Sequence, residues 1–243
     1  MKDRFQKLKA IIFDFGQTLV DSSDGFRMAE KEAQTKLLER LREENHAGID
    51  ADRFLSHYRQ MRKTFQENSD YSRKSLWEAI GKNYHQQMDL AILEQWESEY
   101  WQRVKEKTQP FDETFDVLEK LSGTYRLAAI SNTQGQQRRE RHRFDELPEL
   151  ERFFEVILVA GDGEIPPKPD PEPFLCCLAK LEVAPDQAIF IGDDWRNDVC
   201  GARGVGIYPI WLKHHSVQRI WPAVTDPAPV ISDLNELLKL LLI

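Results

Sequence analysis

The sequence has no long apolar run, few cysteines and no excess of basic residues. No stretch approaches the roughly 20 consecutive apolar residues that a membrane-spanning helix requires. The apolar run of residues 10–13, behind a charged N-terminus, is too short for a signal peptide. Cys176 and Cys177 are adjacent and Cys200 stands alone, a spacing that fits neither a disulfide framework nor a metal site. We therefore expect a soluble, cytoplasmic protein that binds no membrane.

The charge balance argues against nucleic acid as the main ligand. Asp and Glu number 41 against 33 Lys and Arg, for a net charge of −8, whereas phosphate contacts need a basic surface. The arginine-rich segment of residues 136–143 also contains acidic side chains, so we interpret it as a solvated helix face. The 243 residues are enough for one core domain and a smaller insert. Nothing in the composition predicts the oligomeric state.

Short apolar runs, each followed by polar or glycine-rich residues, alternate with helical patterns. A continuous apolar run is typical of a strand that is buried on both faces of a parallel sheet. The predicted strands are residues 9–13, 127–130, 156–159, 188–191 and 205–211. This alternation predicts an α/β fold, with a Rossmann-like parallel sheet between helices in a three-layer sandwich. The site of such a fold lies at the carboxyl ends of the strands.

Residues 22–107 contain no such run, and helical periodicity dominates there. Apolar residues recur at three- and four-residue spacing, as on one face of an amphipathic helix, at Leu93, Trp96, Tyr100 and Val104. The candidate N-caps of four successive helices are Asp24, Asp50, Ser72 and Asp89. We expect a helical domain inserted into a core made of residues 1–21 and 108–243. Its tryptophans are expected in the core of the helical bundle.

Two motifs follow the first and second predicted strands of the sheet. Asp14 ends the first strand, within the segment Phe13–Leu19. A carboxylate at a strand end can act as a nucleophile, and Gly16 lets the backbone turn tightly around a ligand. After the second strand, the Ser131 hydroxyl and neighbouring backbone N–H groups can hold an anionic oxygen. Each motif alone is more typical of an ordinary turn or helix cap.

Two further motifs lie in the second half of the chain. The prolines of Pro166–Pro171 keep a loop extended and hold Lys168 in place, where it can neutralise a phosphate and a carboxylate together. Three carboxylates follow the strand that ends near Ile191: Asp193, Asp194 and Asp198. Such carboxylates repel one another unless a cation lies among them. Oxygen-only ligands indicate a hard divalent ion such as Mg²⁺.

The order and spacing of these motifs resemble the haloacid-dehalogenase superfamily, in its phosphoglycolate-phosphatase-like branch with a helical cap (subfamily I). The resemblance covers nearly the whole chain. It implies an Mg²⁺-dependent phosphatase of small phosphorylated metabolites, in which Asp14 attacks phosphorus and forms an aspartyl-phosphate. It further implies that Ser131 hydrogen-bonds the phosphoryl group and that Lys168 offsets its charge. The implied substrate-binding residues are Thr18, Asn132 and Lys168. The implied metal site consists of Asp14, the Gly16 carbonyl, Asp193 and Asp198, in which Asp198 supports the metal indirectly or through water, and Asp194 is a further candidate.

The sequence departs from the family pattern at Gly16. Phosphatases of this type usually carry an aspartate there, which protonates the leaving group and then activates water. General acid–base catalysis contributes about 10²–10⁴ in rate, so its absence leaves other chemistries open. The alternatives are a dehalogenase, whose halide leaves without a proton, a phosphonatase-like hydrolase that uses a cap lysine, and a pseudoenzyme that binds a phosphorylated ligand. The candidate cap lysines are Lys63, Lys74 and Lys82.

Overall fold

The computed structural model describes residues 5–45, 48–67, 72–133, 144, 147–161, 165–226 and 228–242. The arginine-rich segment of residues 136–143 lies outside these residues. Within the described part of the chain, no helix has both the length and the apolar character that crossing a membrane requires. The described residues form two compact units, one comprising Ser22–Thr108 and the other the residues up to Asp21 and from Gln109 onward.

The elements follow one another in the order that the alternating pattern predicts. The strands are β1 (Ala10–Phe13), β2 (Val20–Asp21), β3 (Gln109–Pro110), β4 (Arg126–Asn132), β5 (Val156–Ala160), β6 (Ala188–Gly192), β7 (Tyr208–Leu212) and β8 (Val230–Ile231). The helices are α1 (Ser23–Asn45), α2 (Ala51–Glu67), α3 (Arg73–Asn83), α4 (Leu90–Glu106), α5 (Thr114–Ser122), α6 (Pro148–Glu151), α7 (Pro171–Lys180), α8 (Gly201–Gly204) and α9 (Asn235–Leu241). The five strands predicted from apolar runs are all present, with shifted ends.

The larger unit is built on a six-stranded parallel sheet in the order β5-β4-β1-β6-β7-β8. The central strand β1 sends alternate side chains to two separate apolar layers. Ile11 and Phe13 pack in one layer with α5 and α9, while Ala10 and Ile12 pack in the other with α7. Because both faces of β1 are covered, its sequence is continuously apolar. The predicted Rossmann-like, three-layer α/β fold is confirmed.

The fifth predicted strand begins later than its apolar run. We expected it to start at Val205, but β7 starts at Tyr208. Val205 instead caps the end of α8, and Gly206 adopts a positive φ of 85° as the chain turns into the strand. The left-handed conformation favours glycine, which has no Cβ to clash with the backbone.

The smaller unit is a bundle of the helices α1 to α4, so the predicted four-helix insert is confirmed as part of the fold. Ser72 and Asp89 cap α3 and α4, accepting hydrogen bonds from the N–H groups of Ser75 and Ala91. Asp50 does the same before α2. The predicted tryptophans are buried or partly buried in the bundle core: Trp77, Trp96 and Trp101.

The N-cap predicted at Asp24 is wrong. Helix α1 begins one residue earlier, at Ser23, so Asp24 lies inside its first turn. Its carboxylate accepts a hydrogen bond from the Arg27 guanidinium at 2.8 Å instead of capping a backbone N–H. An acidic residue in the first turn still interacts favourably with the positive end of the helix dipole.

Candidate active site

Asp14 lies at the carboxyl edge of the sheet, directly after the central strand. In the parallel register, Phe13 of β1 pairs with Ala129 of β4 and with Ile191 of β6. The Asp14 N–H donates to the Ile191 carbonyl at 2.8 Å, which extends the pairing by one residue. Because neighbouring parallel strands end at the same edge, the segments after β4 and β6 meet beside Asp14.

Lys168 is the buried cation of this edge. Its side chain is 2% exposed, and its ammonium donates to Oδ1 of Asp14 at 2.7 Å and to Oδ1 of Asp198 at 2.7 Å. A third hydrogen bond, 2.8 Å long, goes to the Ile130 carbonyl. All three donors of the ammonium therefore have acceptors.

Asn132 holds the backbone of Lys168 rather than any of the acidic side chains. Its Nδ2 donates to the Lys168 carbonyl at 3.0 Å, and its Oδ1 accepts from the Lys168 N–H at 2.9 Å. This paired contact ties the proline-rich loop to the end of β4. The loop then continues into α7, whose N-cap is Asp170. Lys168 is thus positioned by a rigid loop on one side and by the sheet on the other.

The acidic segment after β6 completes the cluster. Carboxylate oxygens of Asp14, Asp193 and Asp198 lie within 4.8 Å of one another. Asp198 is 1% exposed, and its Oδ2 accepts from the Asp194 N–H at 2.9 Å. Asp194 points elsewhere, because its Oδ1 caps the turn that follows by accepting from the N–H groups of Arg196 and Asn197. Three oxygen donors this close together can hold a divalent cation.

Gly192, the last residue of β6, makes room for this packing. A Cβ built on it would lie 2.4 Å from Oδ2 of Asp198. A larger residue at this position would therefore push the buried carboxylate away from Lys168.

Burial and mutual repulsion shift the pKa values of the acidic side chains. Burial, followed by the negative charges of Asp14 and Asp198, raises the pKa of Asp193 well above its usual range. Burial raises the pKa of Asp198 to about 7, although Lys168 opposes the shift. Burial alone would lower the pKa of Lys168, but the charges of Asp14 and Asp198 raise it. The lysine stays charged, and of the three clustered carboxyl groups it forms ion pairs with Asp14 and Asp198.

Gly16 lies in a tight turn after Asp14 and brings no acidic side chain to the cluster. It forms an isolated bridge with Val20, whose carbonyl accepts from the Gln17 N–H at 2.7 Å. Gln17 takes a left-handed conformation with a φ of 61°. In the described part of the chain, the acidic cluster of this edge comprises only Asp14, Asp193 and Asp198.

Ser131 and Thr18 are buried near this edge but do not enter the hydrogen bonds of the described cluster. Ser131, at the end of β4, is 2% exposed. Thr18 is fully buried, and its hydroxyl has no hydrogen-bond partner among the described residues. An unpaired buried hydroxyl costs free energy unless it finds a partner, so Thr18 is suited to receive a ligand atom.

Arg219 also contacts the cluster and is not among the residues predicted from the sequence. Its guanidinium donates to Oδ2 of Asp193, and it lies 3.9 Å from Oδ2 of Asp194. The Trp211 indole N–H donates to the Asp193 carbonyl at 2.9 Å. No motif marks Arg219, which lies 26 residues beyond Asp193 in a segment without regular structure. Only the tertiary fold brings the two together.

A comparison with known protein families now identifies the chain. The family model described as "Haloacid dehalogenase-like hydrolase" matches residues 11–212. The chain belongs to this family. The match spans all the residues of the cluster except Arg219, and the chain is therefore a hydrolase.

Relatives of this hydrolase align over nearly the whole chain. Glyceraldehyde 3-phosphate phosphatase from Pyrococcus furiosus is 26% identical over 237 residues, covering 97% of this chain and 94% of the relative. Phosphoglycolate phosphatase from Salmonella choleraesuis is 26% identical over 250 residues, with coverage of 98% and 94%. The crystal structure of a haloacid dehalogenase-like phosphatase from Thermococcus onnurineus superimposes with a TM-score of 0.67 at 22% identity, covering 96% of this chain and 98% of that one. That structural likeness supports the fold.

Proposed function

We propose that this hydrolase is an Mg²⁺-dependent phosphatase of small phosphorylated metabolites, with Asp14 as its nucleophile. The observation that carries the proposal is the buried cluster in which Lys168 bridges Asp14 and Asp198, with Asp193 beside them. The names of the two curated relatives, a glyceraldehyde 3-phosphate phosphatase and a phosphoglycolate phosphatase, favour phosphate esters as substrates.

The proposed reaction has two steps. An oxygen of the Asp14 carboxylate attacks phosphorus, the bond between phosphorus and the leaving-group oxygen breaks, and the phosphoryl group remains on Asp14 as an acyl phosphate. Water then attacks the phosphorus, releasing inorganic phosphate and restoring the carboxylate. Lys168, which already donates to Asp14, supplies positive charge beside the transferred group in both steps.

The donor set fits Mg²⁺ as the cofactor. Asp14, Asp193 and Asp198 offer only oxygen atoms, and burial followed by the charges of Asp14 and Asp198 raises the pKa of Asp193, a cost that a divalent ion would offset. We assign these three residues and the Gly16 carbonyl as the groups that would hold it, with Asp198 acting directly or through water. Bound there, Mg²⁺ would neutralise charge on the phosphoryl oxygens.

We assign the phosphoryl contacts to hydroxyl and amide groups at the strand ends. Thr18 offers a buried hydroxyl without a partner among the described residues, and Ser131 offers a second hydroxyl after β4. We assign Asn132 an indirect part in substrate binding, because its side chain holds the backbone of Lys168. We further propose that the helical unit of Ser22–Thr108 is the cap of the family and supplies substrate specificity.

The glycine at position 16 gives the proposal a specific consequence. Without an acid there, the leaving group must depart largely unprotonated, so the rate should depend steeply on the pKa of the leaving group. No base activates water in the second step, so the acyl phosphate should accumulate and a burst of product should precede steady turnover.

Phosphate release over a panel of aryl, acyl and alkyl phosphates, with Mg²⁺ or with excess EDTA, tests the proposed function. We expect activity with Mg²⁺ only, with aryl and acyl phosphates much faster than alkyl phosphates. Gly16→Asp should speed alkyl substrates by up to about 10²–10⁴, the contribution of a positioned acid. Only a folded, metal-binding variant is informative, and Gly16→Ala, which adds a side chain without an acid, is its control.

Two other outcomes would contradict the proposal. Halide release without metal would identify a dehalogenase, and no product from any substrate would favour a binding protein. Schiff-base chemistry at a cap lysine has no support in the structure. The ammonium groups of the candidate lysines lie 2.8–3.8 Å from glutamate carboxylates of the same unit, in the pairs Lys63–Glu67, Lys74–Glu94 and Lys82–Glu78.

A further inference from the structure

Arg219 places a positive charge on a carboxylate that is also a proposed metal ligand. Its guanidinium donates to Oδ2 of Asp193, whose side chain is 8% exposed, and it lies 3.9 Å from Asp194. Lys168 is bonded to Asp14 and Asp198 instead. Among the described residues, the ion pairs of Asp193 and Asp194 are therefore with Arg219 alone.

Contacts that involve two tryptophans hold Arg219 at this position. The guanidinium carbon lies 4.4 Å from the centre of the Trp221 ring, a cation–π contact. Trp221 packs edge-on against Trp211, with ring centres 5.9 Å apart. The Trp211 indole then donates to the backbone of Asp193 at 2.9 Å. The backbone of Asp193 therefore contacts Trp211, and its carboxylate contacts Arg219, which packs on Trp221.

The Arg219 side of the acidic cluster has access to solvent. The Arg219 side chain is 31% exposed, and its segment between β7 and β8 contains no helix or strand among its described residues. A guanidinium here can be displaced from Asp193 without unfolding the sheet. By contrast, Lys168 is 2% exposed and has an acceptor for each donor.

Two cations that share one carboxylate compete for it. A guanidinium next to Asp193 repels a divalent ion on the same side chain and occupies an oxygen that the ion would otherwise use. Both effects have the same sign, and both weaken metal binding. Orientation of the carboxylate by Arg219 would have the opposite effect, so the direction of the change on removing Arg219 separates the two roles.

We propose that Arg219 is an internal competitor of the metal ion, which shares Asp193 with the ion and sets the affinity of the site for divalent cations. The inference rests on the proposed function, because it takes Asp193 as a metal ligand. Arg219 is a positioning residue in this account: it acts on the ligand and does not contact the reacting atoms. The site then releases its metal more readily than the same three carboxylates would without Arg219.

Binding of Mn²⁺, measured by electron paramagnetic resonance on the full chain without substrate, tests this inference. We expect Arg219→Gln to bind Mn²⁺ at least about tenfold more tightly than the native protein, the effect of removing one nearby positive charge. Arg219→Met, which keeps an apolar stem against Trp221, should behave in the same way. Arg219→Lys, which keeps the charge but not the planar fork, should stay within about threefold of the native affinity.

Lys213→Gln is the matched control. Its ammonium lies 3.8 Å from the centre of the Trp211 ring, in the same aromatic cluster, but does not contact the acidic cluster. Its removal also deletes one positive charge, so it reports any general effect of charge or of loosening the tryptophans. We expect its Mn²⁺ affinity to stay within about threefold of native, because a partly solvent-accessible charge that does not contact the acidic cluster is largely screened by salt.

Each result has one interpretation. Unchanged or weaker Mn²⁺ binding in folded Arg219→Gln and Arg219→Met overturns the inference and leaves the proposed function intact. Equal tightening in Lys213→Gln overturns it as well, because the effect would not depend on Asp193. Absence of Mn²⁺ binding by the native protein overturns the proposed metal site and the inference with it. Near-ultraviolet circular dichroism of the tryptophans verifies that each variant is folded.

Discussion

The two units of this hydrolase both bury charged side chains, but with opposite balance. In the sheet unit, carboxylates outnumber their buried cation, since Lys168 meets Asp14 and Asp198 while Asp193 lies beside them. Among the described residues of the helical unit, Glu30 is the one buried carboxylate, and the guanidinium groups near it outnumber it. The groups within reach of it are the guanidinium of Arg62 at 3.5 Å, that of Arg73 at 3.9 Å, and the Tyr100 hydroxyl at 3.1 Å.

This difference separates a binding site from a structural ion pair. Removing the carboxylate of a buried ion pair leaves a buried cation unpaired, which destabilises the fold. Burial, together with the like charges of neighbouring carboxylates, gives such a cluster a free-energy cost that a divalent ion or a proton relieves, and it raises the pKa values of Asp193 and Asp198. Whether carboxylates or cations are in excess therefore distinguishes a binding site from a structural ion pair more clearly than burial does.

The largest expected contrast is in turnover. Asp14→Asn should reduce phosphate release to less than about one thousandth of native, because the nucleophile is lost, while the fold is kept. Glu30→Gln, assayed well below its unfolding temperature, should stay within about tenfold of native, because Glu30 is enclosed in the bundle. Retention of more than a few per cent of activity by folded Asp14→Asn would rule out Asp14 as the nucleophile.

The next contrast is in stability. Glu30→Gln should lower the free energy of unfolding by about 3–5 kcal/mol, the cost of breaking a buried ion pair by removing one partner. Asp193→Asn in excess EDTA should instead raise the unfolding temperature by a few degrees, because a buried charge with unfavourable neighbours is removed.

Thermal unfolding with and without Mg²⁺ checks both variants. Added Mg²⁺ should stabilise the native protein and Glu30→Gln, and should have little effect on Asp193→Asn, which lacks a ligand. If Asp193→Asn is destabilised in EDTA or is still stabilised by Mg²⁺ as strongly as the native protein, the assignment of Asp193 as a ligand is incorrect.

The smallest expected effect is a pH dependence that belongs to the sheet unit. The pKa of Asp198 is about 7 in the folded protein, above its value in an unfolded chain. A raised carboxyl pKa means that the folded protein holds its proton more tightly. Its contribution to stability is present below about pH 4 and is lost as the pH rises through about 7.

In EDTA, the unfolding temperature should therefore fall as the pH is raised from 5 to 8, and saturating Mg²⁺ should reduce the fall. Glu30→Gln should show the same slope as the native protein, because Glu30 lies in the other unit. An unfolding temperature in EDTA that rises over this range would show that the buried carboxylates are ionised at little cost.

Sequence patterns predicted the structure correctly where the deciding contacts lie within one short segment of the chain. The continuous apolar run of β1 needs cover on both faces, which predicts a parallel sheet without knowledge of its neighbours. Ser72 and Asp89 cap their helices through contacts two or three residues away. The prediction at Asp24 was wrong by one residue, because a local sequence pattern locates the start of a helix only to within a residue or two.

The sequence by itself determined the α/β class, the helical insert and the positions of the motifs that follow the strands, because periodicity and strand-end chemistry are local properties. Only the tertiary structure decided that Asn132 holds Lys168 by its backbone, that Asp194 caps a turn, and that Arg219 lies on Asp193. These contacts depend on how segments that are far apart in the sequence pack against one another. The pKa of Asp198 likewise follows from burial and from the charges around it, and the residues next to it in the sequence predict neither.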